Sequence, residues 1–134
     1  MASVFTRIMD GELPSFKIFE NEHVYALLAL DQVRAGHTLV VPKIEVDHFF
    51  EVPEPYYSAV FAAAKPIAKA IRSALSAPRV GTAVVGFEVA HFHLHLIPMT
   101  KIADLNFANA QRLTDDRMRQ LQSQIVGALG EANR

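Results

Sequence analysis

The sequence predicts an α+β protein built around an antiparallel sheet. Three observations indicate this class: two long segments carry apolar residues at helical spacing, several short segments have the composition of strands, and most strands follow one another closely. Short connections favour hairpins, because parallel neighbours need a crossover of a dozen or more residues. Helices that bury one face against such a sheet give the α+β class.

Most of the predicted strands lie in the first half of the chain. A short helix over residues 3–9, ended by Gly11 and Pro14, is expected to precede them. Gly36 separates the second strand from the third, and Pro42 stops the third because proline donates no backbone hydrogen bond. The predicted strands are 16–20, 24–30, 38–41, 80–85 and 91–97.

Two amphipathic helices complete the predicted fold. The first spans residues 54–76, and Pro66 inside it is expected to kink it or to separate its first turns. The second begins after Thr114, a capping residue, and Gly130 is expected to end it. The apolar stripes are Val60, Ala64, Ile67, Ile71 and Leu75 in the first helix and Met118, Leu121, Ile125 and Leu129 in the second.

Bulk composition restricts the classes of function. The 134 residues carry a formal net charge of −1, so no large basic surface is expected for a nucleic acid. The chain has no cysteine, which excludes disulfides, thiolate nucleophiles and cysteine zinc sites. No signal peptide is recognisable, and no apolar run approaches the ~20 residues that span a bilayer. We therefore expect one domain over residues 1–134, located in the cytoplasm and without a membrane partner.

The most informative segment is 91–97, which reads His-Phe-His-Leu-His-Leu-Ile. Because side chains on a strand have a period of two, His91, His93 and His95 are predicted to project from one face. The apolar residues between them would project from the other. Half of the six histidines of the chain fall within residues 91–95, which indicates a functional site.

Three imidazoles in one row suit nucleophilic chemistry at phosphorus. A neutral imidazole, with an ordinary pKa near 6.5, is a competent nucleophile at neutral pH, and its phosphorus adduct can be broken by water. One histidine would attack, a second would donate a hydrogen bond to a phosphate oxygen, and a third would orient the network. Same-face neighbours on a strand lie ~6.5–7 Å apart, so His93, flanked by both others, is the expected nucleophile.

Two other interpretations of the row are weaker. The outer histidines would lie ~13 Å apart, whereas ligands lie ~2 Å from a zinc ion, so at most two of the three could share one metal. Further ligands would have to come from His37, His48 or Glu88, and we predict no metal site. A strand that merely exposes a polar face would explain one or two histidines better than three in register.

Together with its context, the row resembles the signature of the histidine triad (HIT) superfamily, His-φ-His-φ-His-φ-φ with φ apolar. Every position of 91–97 matches. The resemblance covers about residues 4–130, because further segments match family motifs in the same order. These segments are Gly-Glu-Leu-Pro-Ser at 11–15, Gly-His-Thr-Leu-Val-Val-Pro-Lys at 36–43, and Gly86 with Glu88-Val89.

The resemblance implies a HIT-like fold: an antiparallel five-stranded sheet, one long central helix and a C-terminal helix, usually paired as a homodimer. It implies a cofactor-independent hydrolase that cleaves a P–N or P–O bond at the α-phosphate of a purine nucleotide through a nucleotidyl-histidine intermediate. By position, His93 matches the nucleophile, His95 the residue that contacts the phosphate oxygens, and His91 the residue that supports the network. His37 matches a histidine beside the site, with a purely structural core role as the alternative.

The resemblance also implies residues that contact the nucleotide. Phe5, Ile8 and Leu27 match apolar positions of the nucleoside pocket, although residues at such spacing are also ordinary core. Glu88 and Val89 resemble the run just before the triad and are predicted to bind the substrate.

Several positions depart from the family pattern. Many bacterial members carry Cys-x-x-Cys as part of a zinc site where this chain has Ser3 and Thr6, and His48 lies beyond the usual position of that site's histidine. Ala29 stands where the family presents an aspartate to the ribose hydroxyls. Asp31, two residues along the strand, keeps the same face and is the expected substitute, with a turn aspartate as the alternative.

Departures beside the triad concern substrate recognition. Phe87 and Glu88 occupy positions where glutamine and serine are usual. The triad itself is intact, so we expect catalysis with altered recognition. The alternative is a nucleotide-binding or scaffold protein of the same fold with weak or no turnover.

Overall fold

The computed structural model describes residues 2–132, so the ends of the predicted domain, at 1 and 134, lie outside the described residues. Three single turns of 3-10 helix lie in the connections, at Phe49–Glu51, Ile102–Asp104 and Phe107–Asn109. The helices and strands are α1 (Val4–Met9), β1 (Lys17–Glu20), β2 (Val24–Leu28), β3 (Asp31–Gln32), β4 (Thr38–Pro42), α2 (Tyr56–Leu75), β5 (Arg79–Ala83), β6 (Leu94–Met99), β7 (Gln111–Arg112) and α3 (Asp115–Ala132).

Five of these strands form one sheet in the order β1-β2-β4-β6-β5. Every neighbouring pair in it is antiparallel. The two shortest strands, β3 and β7, pair separately as a two-stranded ribbon. The predicted α+β class with a five-stranded antiparallel sheet, a long central helix and a C-terminal helix is confirmed.

One face of the sheet is covered by α2 and α3. Alternate residues of the central strands point into this core, as the period of two predicts. Val40 and Leu94, for example, are 0% and 2% exposed. The larger set of strand and helix residues in this core comprises Val24, Ala26, Leu28, Leu96, Val60, Ile67, Ile71, Met118, Leu121 and Ile125.

The opposite face carries a smaller apolar cluster and the histidines. Tyr25, Leu27, Leu39 and Val41 occupy the intervening strand positions and pack with Phe5 of α1. His95 of β6 alternates with its helix-side neighbours and therefore belongs to this second face. The short helix α1 thus lies on the same side of the sheet as the histidine row.

The structure corrects the predicted start of the histidine strand. β6 begins at Leu94, so His91 and His93 precede the strand, although the apolar residues beside them still point into the helix-side core. The reason is Pro42 at the end of β4, since it has no N–H to continue the ladder. The Phe92 N–H instead donates to the Val46 carbonyl at 2.6 Å.

Two details of the helices also differ from expectation. α2 runs without interruption from Tyr56 to Leu75 with Pro66 inside it, so its first turns are not separated. α3 begins after Thr114, whose hydroxyl accepts a hydrogen bond from the Arg117 N–H, as predicted. The prediction that Gly130 ends this helix is wrong, because helical structure continues to Ala132 and α3 packs along α2.

Within residues 2–132, no helix combines the length and apolar character needed to cross a membrane.

Candidate active site

Four histidines gather on the face of the sheet opposite the two long helices. His91, His93 and His95 follow one another along the chain, and His37 comes from the turn before β4. The rings of His93 and His95 have centroids 4.9 Å apart, and those of His95 and His37 are 5.1 Å apart. All four are buried, with exposed fractions between 1% and 8%.

Burial keeps these imidazoles neutral. Burial first, and the charge of neighbouring histidines second, lower the pKa of His37 to about 4 and that of His95 to about 3. Burial also lowers the pKa of His91 and of His93. For His93, a hydrogen bond to a backbone carbonyl and the charge of Glu88 act in the opposite direction. Each ring therefore has one N–H and one lone pair, and its partners decide which nitrogen carries the proton.

Backbone carbonyls fix the protonated nitrogen of His91 and of His93. A carbonyl oxygen only accepts, so His91 Nε2 donates to the Pro42 carbonyl at 2.9 Å. His93 Nδ1 donates to the His91 carbonyl at 2.7 Å. The lone pair of His93 consequently lies on Nε2, and no residue of the described chain hydrogen-bonds to that atom.

The proton positions of His37 and His95 follow in the same way. Two backbone groups of the preceding turn approach the His37 ring, the Asp31 carbonyl and the Val33 N–H. The Val33 N–H makes the hydrogen bond, 3.2 Å from Nδ1, so His37 carries its proton on Nε2. That N–H donates to His95 Nδ1 at 2.8 Å, which leaves the His95 proton on Nε2. The neighbouring rings of His93 and His95 thus carry a lone pair on Nε2 and an N–H on Nε2, respectively.

The turn that holds His37 is fixed by a buried glutamine. The side-chain amide of Gln32 donates to the carbonyls of Ala29 and His37, at 2.6 and 2.8 Å. Its oxygen accepts from the N–H of Gly36 at 2.8 Å. Gly36 has φ +106°, a conformation that favours glycine.

Apolar side chains border the histidine cluster on both sides. The ring of Phe5 lies edge-on to His91 and His93, with centroids 5.6 and 5.0 Å apart. Ile8, Leu27 and Val89 pack in the same cluster as Phe5, so the structure brings these four predicted pocket residues together. On the other side, the Phe107 ring lies 4.9 Å from His95. The sequence carries no local signal for Phe107, because it reaches the site from a distant 3-10 turn.

The two acidic residues predicted near the substrate lie at the rim. Glu88 is exposed, and its charge acts on His93. Asp31 is 58% exposed on its side chain, and Arg112 Nε donates to its Oδ1 at 3.0 Å. The Asp31 carboxylate is therefore paired with the ribbon strand β7 and not with a histidine.

A polar cluster that we call the amino-terminal clip, formed by Ser3, Thr6, Glu45 and His91, joins the start of α1 to the histidine row. Ser3 Oγ lies 2.6 Å from His91 Nδ1. The Ser3 N–H and the Thr6 hydroxyl both donate to Glu45 Oε1, at 2.6 and 2.8 Å. Sequence reasoning identified Ser3 and Thr6 only as replaced zinc positions and missed Glu45.

The residues of the clip do not fit the zinc site of related proteins. Ser3 and Thr6 offer hydroxyl oxygens where that site has thiolates, and both hydroxyls are already engaged. His48 makes its ring contact outside the clip: it stacks on Phe50, with centroids 5.1 Å apart. Within residues 2–132, no group of three or more His, Cys, Asp or Glu side chains is arranged to hold a metal ion.

Fold and site define an α+β protein with a row of neutral, hydrogen-bonded histidines on one face of an antiparallel sheet. Residues 10–102 match the HIT domain family, and the chain belongs to this family.

Relatives and solved structures agree with this assignment. The chain is 37% identical over 100 residues to Protein hit of Bacillus subtilis (strain 168), covering 71% of this chain and 69% of that protein. It is 32% identical over 98 residues to Adenosine 5′-monophosphoramidase HNT1 of Saccharomyces cerevisiae, covering 72% of this chain and 62% of that protein. A Zn-bound histidine triad family protein from Mycobacterium smegmatis superimposes with a TM-score of 0.84 at 28% identity, covering 99% and 96% of the two chains.

Proposed function

We propose that this protein is a HIT-type hydrolase that cleaves a P–N or P–O bond at the α-phosphate of a purine nucleotide. The observation that carries the proposal is the pair of neighbouring rings, with centroids 4.9 Å apart, on which the hydrogen-bond network leaves a lone pair at His93 Nε2 and an N–H at His95 Nε2. A nucleophile beside a donor for a phosphate oxygen is the arrangement that substitution at phosphorus requires. The similarity to a yeast adenosine 5′-monophosphoramidase supports this substrate class.

The first step forms a nucleotidyl-histidine. His93 Nε2 attacks the α-phosphorus with its lone pair, and the P–N or P–O bond to the leaving group breaks. The leaving group departs with the bonding electrons and, for an amine, takes a proton from solvent. The His93 Nδ1–H keeps its bond to the His91 carbonyl, which stabilises the positive charge on the ring. The His95 Nε2–H donates to a phosphate oxygen as negative charge develops there.

The second step returns the enzyme to its starting state. Water attacks the phosphorus, loses a proton to solvent, and the P–Nε2 bond breaks with its electrons returning to His93. The product is a nucleoside monophosphate. No metal or cofactor enters either step, because the imidazole itself supplies the nucleophile.

The remaining predicted site residues have roles in recognition. We assign Phe5, Ile8, Leu27 and Val89, which pack in one apolar cluster beside the histidines, to the flat rings of a purine nucleoside. His37 sets the tautomer of His95 through its Nε2–H. We assign Glu88 to the leaving-group side, where its charge acts on His93, and Asp31 to the ribose hydroxyls.

We propose further that the chain is a single HIT domain that works as a cytoplasmic homodimer. Elements outside the matched range 10–102 support one domain, because α1 packs on the histidines and α3 packs on α2. β5 lies at an edge of the sheet, followed by Val85 and Phe87, which are 51% and 95% exposed. Sedimentation velocity will show whether two chains associate; a strictly monomeric protein would contradict the homodimer.

The mechanism is tested with an adenosine 5′-phosphoramidate that carries a fluorescent amine. We expect a burst of amine equal to the enzyme concentration when hydrolysis of the intermediate is slow. After an alkaline quench, mass spectrometry should find one adenylyl group on the peptide that contains His93. His48→Ala removes an exposed histidine outside the site and is the matched control, which should keep the burst.

Other outcomes separate the alternatives. Nucleotide binding by calorimetry without turnover or adduct would favour the binding or scaffold function, for which the absence of an aspartate at Ala29 is the supporting observation. A protein that neither binds nor hydrolyses the nucleotide would contradict both functions. An adduct on another residue would contradict the assignment of His93.

A further inference from the structure

The amino-terminal clip acts on the histidine that holds the nucleophile. His91 is 1% exposed, and its Nε2–H is already used by the Pro42 carbonyl. Its Nδ1 is therefore an acceptor, and the Ser3 hydroxyl at 2.6 Å donates to it. The oxygen of the same hydroxyl accepts from the Thr6 N–H at 3.1 Å and so caps α1.

Glu45 holds the hydroxyl in this orientation. Its Oε1 accepts from the Ser3 backbone N–H and from the Thr6 hydroxyl, so the first turn of α1 is attached to the loop after β4. The Thr6 hydroxyl points its proton at the carboxylate. The Ser3 hydroxyl proton then has two acceptors, His91 Nδ1 at 2.6 Å and Thr6 Oγ1 at 3.3 Å, and we assign it to the shorter contact, with His91. These bonds lower the pKa of Glu45, so the carboxylate stays charged and accepting at neutral pH.

We propose that Ser3 and Glu45 are positioning residues for the nucleophile, and this inference rests on the proposed function. The Pro42 carbonyl sets the tautomer of His91, and the Ser3 hydroxyl holds its other ring nitrogen, so the ring is fixed at both nitrogens. The clip thereby fixes the place of the His91 carbonyl, which holds His93 Nδ1 at 2.7 Å and aims Nε2. In this chain, the Ser3 hydroxyl donates to the outer histidine, and Glu45 accepts from Ser3 and Thr6, the two positions where many bacterial members of the family carry the Cys-x-x-Cys pair. The clip touches no reacting atom, so it acts entirely through His91.

The test compares variants of Ser3 that separate capping from positioning. Ser3→Ala removes both the cap and the donor, and we expect kcat to fall about tenfold with KM unchanged, as for one lost hydrogen bond. Ser3→Thr keeps both groups and should restore kcat. Ser3→Asp keeps a capping acceptor but, when ionised, has no proton for a neutral imidazole, so it should not restore kcat.

Glu45 is tested against a matched carboxylate of the same region. Glu45→Gln keeps an accepting oxygen without the charge and should lower kcat about threefold, since neutral hydrogen bonds are weaker. Glu12→Gln removes a carboxylate that pairs with Arg7 on the surface, and it should leave kcat unchanged. An equal loss in both variants would attribute the effect to net charge and overturn the role of Glu45.

Nitrogen-15 NMR of the histidine rings tests, independently of turnover, whether the clip acts on His91 and His93. In the wild-type protein we expect His91 protonated on Nε2 and His93 on Nδ1. In Ser3→Ala we expect the His91 Nδ1 resonance to shift because it loses the hydrogen bond from the hydroxyl, and the His93 Nδ1–H resonance to shift with the His91 carbonyl. His91 with its proton on Nδ1 in the wild type, or unchanged ring spectra in Ser3→Ala, would overturn the inference. A wild-type protein that turns over no substrate but shows these tautomers would refute the proposed function and not the clip.

Discussion

The two faces of the five-stranded sheet use the same backbone for different purposes. On the helix-covered face, alternate residues such as Val40 and Leu94 bury hydrocarbon against α2 and α3. On the other face, the intervening positions carry buried histidines whose nitrogens are held by hydrogen bonds. Adjacent residues of one strand therefore differ in what they contribute: one face gives stability by packing, and the other orders polar atoms at a cost in desolvation.

The largest effects should come from two neighbours on opposite faces. His93→Ala removes the proposed nucleophile, and we expect kcat for an adenosine phosphoramidate to fall by at least ~10³-fold, while the melting temperature changes little. Leu94→Ala opens a cavity in the helix-side core and should cost about 2–5 kcal/mol of unfolding free energy. Folded Leu94→Ala protein should keep most of its kcat. Kinetics and thermal unfolding of both variants provide the measurements.

The opposite pattern would contradict this division of roles between the two faces of the sheet. If His93→Ala unfolded the protein while Leu94→Ala abolished turnover with an unchanged melting temperature, the assignment of function to one face and packing to the other would be wrong. Full activity of His93→Ala would place the nucleophile elsewhere.

The sequence predicted the division between the faces, because it depends only on a period of two. Phe92 and Leu94 were expected opposite the histidines, and both lie in the helix-side core. The start of the histidine strand at residue 91 was wrong, since the effect of Pro42 depends on which strand pairs with it. The end of α3 at Gly130 was wrong because packing along α2 outweighs the low helical propensity of glycine.

The tautomers of the site could not be predicted from the sequence. His91 is oriented by Ser3, 88 positions away in the chain, and His95 by His37, 58 positions away. Only the fold brings these atoms within hydrogen-bond distance. The resemblance to the HIT family indicated which residues gather, but Glu45 and Phe107 emerge only from the three-dimensional arrangement.

An intermediate effect should appear as a dependence of stability on pH that originates on the histidine face. The folded-state pKa of His37 is about 4 and that of His95 about 3, whereas unfolded histidine titrates near 6.5. Below pH 6.5 the unfolded chain therefore binds more protons than the folded protein. The free energy of unfolding should fall as the pH drops from 6.5 toward 4, and these histidines should add no dependence above 6.5.

Denaturant unfolding across this pH range gives the measurement. His95→Asn removes one of the groups and should reduce the slope between pH 6.5 and 4; an unchanged slope would contradict the assignment. Because burial also lowers the pKa of His93, the acid limb of kcat/KM should lie below pH 6.5. An acid limb above pH 6.5 would show that the nucleophile is less buried than the structure indicates.

The smallest effect concerns Asp31, at the rim of the histidine face, whose carboxylate pairs with Arg112 and is proposed to bind the ribose. Asp31 uses Oδ1 for Arg112, and among residues 2–132 its Oδ2 has no hydrogen-bond partner, so that oxygen can accept from a ribose hydroxyl. Asp31→Asn should raise KM about fivefold, with kcat unchanged and stability altered by less than about 1 kcal/mol, because the ion pair is exposed. Arg112→Gln is the matched control: it breaks the same pair but keeps the carboxylate, and should leave KM within about twofold of wild type. Equal shifts of KM in the two variants would mean that the pair only anchors the ribbon, and the ribose contact would have to come from another residue.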